Sequence, residues 1–257
     1  MTDFPWTERE LRRQIVRACL ALSQRGLVAA TDGNVSARLG PERILVTPSG
    51  TSKGEVDELS VLLCDEEGRK IRGRGEVSSE VQVHLAAYRE RPEIAAVVHA
   101  HPPLASAFTF AGMEHLFREP VIPEVAAQFG SIPTAPYATP GTRALAEAAA
   151  PFFRSSDVVL LAQHGAVTLG PDPWSAYLRM EKLEHAATIL KAACELACGE
   201  ANVKRLGKGQ TEELLRLYGK GARAIATEDR SDGATESDEA LVKRVAHEVL
   251  IRLDKAG

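Results

Sequence analysis

The stretch Ile94-Ala95-Ala96-Val97-Val98-His99-Ala100-His101-Pro102-Pro103 constrains this chain more than any other. Its apolar run reads as a buried strand. The prolines cannot extend a ladder, so the strand ends there and a loop begins. Alternate side chains of an extended chain share a face, so His99 and His101 point the same way. Two neutral imidazoles side by side are half of a divalent-metal site. The fold must therefore bring other chemistry to this strand end.

A third histidine has the same setting. Asp157 to Gly170 reads as two short strands broken at His164-Gly165, so His164 also sits at a strand end beside a tight turn. Three histidines from two strand ends leave metal positions open for a substrate. On the residues alone, a pair of turn histidines plus an unrelated third stays open as an alternative.

Three short segments offer backbone amides to an anion. Gly33-Asn34 and Ser49-Gly50-Thr51-Ser52 are loops of small residues, which can wrap an anion through N–H groups but also make ordinary turns. Val77-Ser78-Ser79-Glu80 leads into a helical run, and a helix N-terminus with hydroxyls attracts anions. Glu80 falls in that first turn, where a carboxylate is also favoured simply as a cap. His84, one turn further on, is read as structural.

The remaining chain alternates helices and strands. Thr7 and Glu10 form a capping box for a helix that Gly26 stops. Strands are expected at Asn34–Leu39, Arg43–Thr47 and Leu59–Cys64, the last closed by a hairpin at Asp65–Gly68. Helices are expected from Val81, from Pro103 to Ala111, from Thr142 to Phe153, from Pro173 to about Gly199 and from Thr211 to Arg223. Pro120–Glu124 reads as an interruption. Cys194 and Cys198 are expected on one helical face as buried small residues, and four cysteines in all suit a reducing compartment.

The 257 residues, 44% hydrophobic and 26% charged, fit a globular domain with a small appendage. A net charge of −4 gives no reason to expect a nucleic-acid partner. No apolar run is long enough for a membrane span, and the first residues lack the order of a signal peptide. A cytoplasmic location is expected. The expected organisation is a catalytic domain over residues 1–225, an acidic flexible linker over 226–240 and an amphipathic helix over 241–257. In that helix Leu241, Val242, Val245, Val249, Leu250 and Leu253 recur at helical spacing.

Gly33-Asn34-Val35-Ser36, Thr47-Pro48-Ser49-Gly50, Ser78-Ser79-Glu80, His99-Ala100-His101, Ala135-Pro136-Tyr137-Ala138-Thr139 and Gln163-His164-Gly165, in that order, resemble the class II aldolase/adducin family. The likeness is greatest to its L-fuculose-1-phosphate aldolase group and covers about Arg9 to Arg223. It implies a three-layer α/β/α sandwich around a largely antiparallel sheet, assembled as a homotetramer. By the matching motifs, His99, His101 and His164 hold zinc. Gly33, Asn34, Ser49, Gly50, Ser78 and Ser79 hold the substrate phosphate, and Glu80 is the catalytic acid/base.

The implied activity is zinc-dependent cleavage of a ketose 1-phosphate, such as L-fuculose or L-rhamnulose 1-phosphate, to dihydroxyacetone phosphate and lactaldehyde through a metal-stabilised enediolate. The alternatives within the family are a 4-epimerase, a decarboxylase or a dehydratase; a binding module without catalysis is a further one. Burial and a substrate phosphate are expected to raise the Glu80 pKa. Two departures matter. The aldolases carry a tyrosine where this chain has Ile122, although Tyr218-Gly219 matches the C-terminal Tyr-Gly by which family members reach a neighbour's site. The tail resembles peptides that load enzymes into bacterial microcompartments, which implies a shell protein as partner.

Overall fold

Residues 5–218 are described by a computed structural model of the chain. The linker expected at 226–240 and the helix expected at 241–257 lie outside the described residues, as does Gly219. Among the described residues, the strands are β1 (Asn34–Gly40), β2 (Arg43–Val46), β3 (Leu62–Cys64), β4 (Lys70–Arg72), β5 (Ala96–Ala100), β6 (Thr134–Ala135), β7 (Val158–Leu161) and β8 (Gly165–Gly170). The helices are α1 (Glu8–Gln24), α2 (Val81–Glu90), α3 (Pro103–Phe110), α4 (Pro123–Phe129), α5 (Arg143–Phe153), α6 (Pro173–Leu196) and α7 (Lys208–Tyr218).

All eight strands form one sheet in the order β4-β3-β2-β1-β5-β8-β7-β6. Every pairing is antiparallel except β6 with β7. The central strands are buried on both faces, and alternation of side chains divides them between two cores. Val35, Ala37, Leu45, Val98 and Leu160 face one layer, where α1, α3, α4 and α6 contribute Leu11, Ile15, Ala105, Val125, Met180 and Leu183. Val46, Val97, Val159, Leu161 and Val167 face the other, against Leu85 and Tyr88 of α2 and Leu145 and Phe153 of α5. The result is the expected α/β/α sandwich around a largely antiparallel sheet.

Several boundaries differ from expectation for local reasons. The third strand starts at Leu62 rather than Leu59, because Asp57 and Ser60 close a turn on each other: the Ser60 amide donates to Asp57 Oδ1 at 2.7 Å and the Asp57 amide to Ser60 Oγ at 3.0 Å. Leu59 is consequently exposed. The Pro120–Glu124 stretch starts a helix, with Pro123 in the first turn of α4, a position that tolerates its missing N–H. The α6 helix ends at Leu196, so Cys198 is exposed in a left-handed turn (φ 54°) and Cys194 only half-buried. The expectation of two buried cysteines is therefore wrong. The last helix begins earlier, at Lys208. No helix among the described residues is long and apolar enough to cross a membrane.

The centre of the sheet fixes the strand end bearing the histidines. In β5, His99 pairs with Asn34 of β1 on one side and with Val167 of β8 on the other. The chain then leaves through Pro102 and Pro103 into α3. The carboxylate of Glu184, on α6, accepts the Leu104 amide at 2.9 Å and the Ala105 amide at 3.0 Å. That carboxylate satisfies donors the helix itself cannot, as a cap does, and so anchors the segment that follows His101.

Candidate metal centre

Two glycines let the strand ends approach closely enough to gather the histidines. A Cβ on Gly165 would lie 2.5 Å from the Ala100 carbonyl oxygen and 2.7 Å from His101 Cδ2. One on Gly33, which has φ +73°, would lie 2.8 Å from the His99 carbonyl oxygen. Neither position accepts a larger residue without moving the backbone. In the turn between them and the third histidine, Gln163 is left-handed (φ 54°) and its amide is held by Thr109 Oγ1 at 3.1 Å.

His99, His101 and His164 come together as expected. Their ring centroids lie 4.8–5.0 Å apart, pairwise, with the rings tilted by 58–68°. The carbonyl of Ala166 is 3.0 Å from His99 Nδ1. A carbonyl only accepts, so Nδ1 carries a proton, and Nε2 is the nitrogen turned to the centre. His99 Nε2 is 3.2 Å from His101 Nε2. Asp32 Oδ2 stands 3.5 Å from His101 Nδ1, on the side away from that contact, the arrangement by which a carboxylate orients a metal-binding ring. Asp32 was missed in the sequence, where it reads as part of the Gly33-Asn34 turn.

Glu80 is at the N-cap of α2, yet its side chain caps nothing. It turns toward the imidazoles instead, with Oε2 3.2 Å from His99 Nε2 and Oε1 3.3 Å from His164 Nε2. A tetrahedral ion with ligands at about 2.0–2.1 Å separates its ligand atoms by about 3.3 Å. The 3.2, 3.2 and 3.3 Å separations here are edges of that size. Three imidazoles and one carboxylate are also a donor set suited to a divalent transition ion. The residues present fit a metal.

The electrostatics of Glu80 run opposite to the sequence expectation. Burial alone raises its pKa, but the hydrogen bond and charge of His99, with His164 and His101 behind it, hold it down to about 2. The carboxylate thus stays ionised among the rings. Burial pushes His164 down to about 4 and lowers His101, so both rings give up a proton readily to an ion. His84 does not join the centre. It is wholly buried beneath it, with Nδ1 2.7 Å from Ser36 Oγ, which in turn lies 2.8 Å from the Tyr88 hydroxyl.

The anion segments converge beside the imidazoles. Asn34 Nδ2 donates to Ser78 Oγ at 3.0 Å and reaches Glu80 Oε2 at 3.4 Å. Ser79 Oγ lies against Gly141 of the following loop. The Ser49 amide is already spent on the Glu76 carbonyl at 2.8 Å, which ties the second loop to the segment before Ser78. Tyr218 is not brought to the centre within the chain. It is exposed at the end of α7, which packs on α4. Ile122 is the N-cap residue of α4 and packs on the core.

A sandwich of this topology with a three-histidine centre at the end of its middle strands defines a class of metal-dependent lyases. The chain belongs to the class II aldolase and adducin N-terminal domain family, whose model matches residues 13–190. It is 31% identical over 217 residues to a 3-oxo-tetronate 4-phosphate decarboxylase of Escherichia coli, covering 83% of this chain and 99% of that one. It is 33% identical over 178 residues to an L-fuculose phosphate aldolase of Methanocaldococcus jannaschii, covering 69% and 94%. The crystal structure of YgbL from Klebsiella pneumoniae has a TM-score of 0.74 at 30% identity, covering 81% of this chain and 99% of YgbL.

Burial of His84 has a consequence for stability. Burial drives its pKa down to about 3, with the charge of His99 adding to the effect. Unfolded, the ring titrates near its ordinary value of about 6.5. Between these values the unfolded chain binds a proton that the folded chain refuses, so stability falls as pH falls from about 6.5 toward 3. In urea melts of the metal-free protein between pH 7 and 4, His84→Gln should flatten this dependence by up to about 1.4 kcal/mol per pH unit. Equal slopes would contradict the assignment of a neutral buried ring.

Proposed function

We propose that the protein is a metal-dependent decarboxylase of a phosphorylated β-keto sugar acid, of the kind named by its 3-oxo-tetronate 4-phosphate decarboxylase relatives. The observation that carries this reading is the near-complete span of the Escherichia coli decarboxylase, 99% of its length against 83% of this chain. Ile122 supports it from the chemistry. Retro-aldol cleavage must move a proton at the oxygen that becomes the aldehyde, the task for which the aldolases keep a tyrosine at that place. Decarboxylation needs no such group, because the departing carboxylate leaves as CO2.

For 3-oxo-tetronate 4-phosphate the C1–C2 bond breaks and its electron pair stays on C2, conjugated with the C3 carbonyl. One proton delivered to C2 then gives dihydroxyacetone phosphate. His99, His101 and His164 would hold the ion, zinc in this reading, which supplies Lewis acidity for the negative charge on the carbonyl oxygen. Glu80, which lies against two of the three imidazoles and is ionised in the free centre, is the group suited to relay a proton, taking it from solvent and passing it to C2. Gly33, Asn34, the Ser49 hydroxyl, Gly50, Ser78 and Ser79 would hold the phosphate and so orient the bond that breaks.

Aldol cleavage of a ketose 1-phosphate is the second reading. It passes through the same dihydroxyacetone phosphate enediolate, needs the same ligands and Glu80, and is supported by the fuculose aldolase relatives. In either reaction the homotetramer would let Tyr218 act in a neighbouring subunit's site.

Product analysis separates the two. The zinc-loaded protein should release CO2 and dihydroxyacetone phosphate in equal amounts from 3-oxo-tetronate 4-phosphate, and no aldehyde from fuculose or rhamnulose 1-phosphate. Lactaldehyde release without CO2 would reverse the order of the readings. Glu80→Gln should lower kcat by about 10²–10⁴ with metal retained.

The proposed shell partner of residues 241–257, and with it a microcompartment location, has its own test. A fluorescent protein carrying residues 226–257 should be recruited to compartment shells, and diffuse fluorescence would rule the partner out.

A further inference from the structure

Lys53 is the largest of the fully buried side chains, only 1% exposed. It begins a short 3₁₀ turn, Lys53–Glu55, packed against α1. Its ammonium donates to the carbonyl of Thr31 at 3.0 Å and to that of Thr51 at 2.5 Å. Thr31 leads directly into Asp32-Gly33-Asn34, and Thr51 directly follows Ser49-Gly50. One buried cation therefore joins the two small-residue loops, which are otherwise connected through neighbouring strands.

A buried charge is costly unless something opposite in sign compensates it. No ion pair joins Lys53 to a carboxylate among the described residues. The nearby Cys19 thiol is pushed up to about 12 by burial and stays neutral, and Asp32, whose charge does reach Lys53, is half exposed and turned to His101. Two carbonyl dipoles thus carry most of the compensation. A peptide unit is planar and trans, so its N–H points opposite to its C=O. With the Thr51 carbonyl drawn to the ammonium, the Ser52 amide points away from it, on the other side of the loop.

We propose that Lys53 is a positioning residue of the phosphate subsite: it clasps both anion loops from beneath and supplies the buried positive charge that a bound phosphate neutralises. This rests on the reading of those loops as the phosphate site. Away from bulk water such a charge acts at a distance with little screening, so Lys53 need not touch the phosphate to set its affinity.

Inorganic phosphate is the probe, titrated calorimetrically into the zinc-loaded full-length protein. The variants are Lys53→Gln, which keeps donors for the two carbonyls but removes the charge, Lys53→Met, which removes both, and Asn34→Ala, which tests the loop reading itself. Both Lys53 variants should bind phosphate at least tenfold more weakly with zinc content unchanged, the Met variant more weakly than the Gln variant. Wild-type affinity in the Lys53 variants, with weakened binding in Asn34→Ala, would overturn the proposal and leave the loop reading intact. No binding to the wild type, or full binding in Asn34→Ala, would overturn both. Should the Lys53 variants fail to fold, the ammonium resonance of Lys53 in the wild type must shift on saturation with phosphate, and an unmoved resonance refutes the proposal.

Discussion

The pairing of β5 with β1 and β8 underlies everything else in this protein. In that ladder His99 is flanked by Asn34 and by Val167, so one register fixes a candidate metal ligand, an amide that bonds Ser78 and the strand that begins at the His164-Gly165 turn. A slip of one residue would turn His99 to the opposite face of the sheet. The buried alternation of Val97 and Val98 into two separate cores prevents that slip. The close approach at Gly33 and Gly165 then brings the strand ends within reach of one ion.

On this frame the charges are arranged around a single locus. The hydrogen bond and attraction of the imidazoles lower the Glu80 pKa, and burial lowers those of His101 and His164. Both conditions favour metal binding, because a proton on any of these groups competes with the ion. Lys53 stands under the neighbouring loops as a cation with no carboxylate bonded to it. A centre that pairs an electron-accepting ion with a phosphate clasp, as we propose for it, suits reactions that leave negative charge next to the carbonyl of a phosphorylated substrate. Decarboxylation and aldol cleavage share that requirement and differ in what leaves.

Much of this was legible in the sequence because it depends on local pattern. The His99-Ala100-His101 spacing followed by prolines marks a strand end, and Thr7 with Glu10 makes the capping box that opens α1. What was not legible depends on contacts distant in sequence. Asp32 reads as a turn residue until the sheet sets it against His101. Lys53 carries no pattern of its own, and its burial follows from the 3₁₀ turn that packs on α1. The sign of the Glu80 shift depends on three rings from two other segments. The strand expected from Leu59 starts only at Leu62 because Asp57 and Ser60 bond each other, a choice that apolar patterning does not register. Motifs shared by the whole family point to the intermediate but not to the leaving group, so the decarboxylase reading is placed first on the relatives and on Ile122 rather than on the motifs.

The central claim is that His99, His101 and His164 ligate one catalytic ion. X-ray absorption at the zinc edge of the loaded protein tests it most directly. The account predicts one zinc per chain with three imidazole nitrogens at about 2.0–2.1 Å and one oxygen, and loss of that signature in His164→Ala. Substoichiometric zinc, or a wild-type spectrum that persists unchanged in His164→Ala, would contradict it.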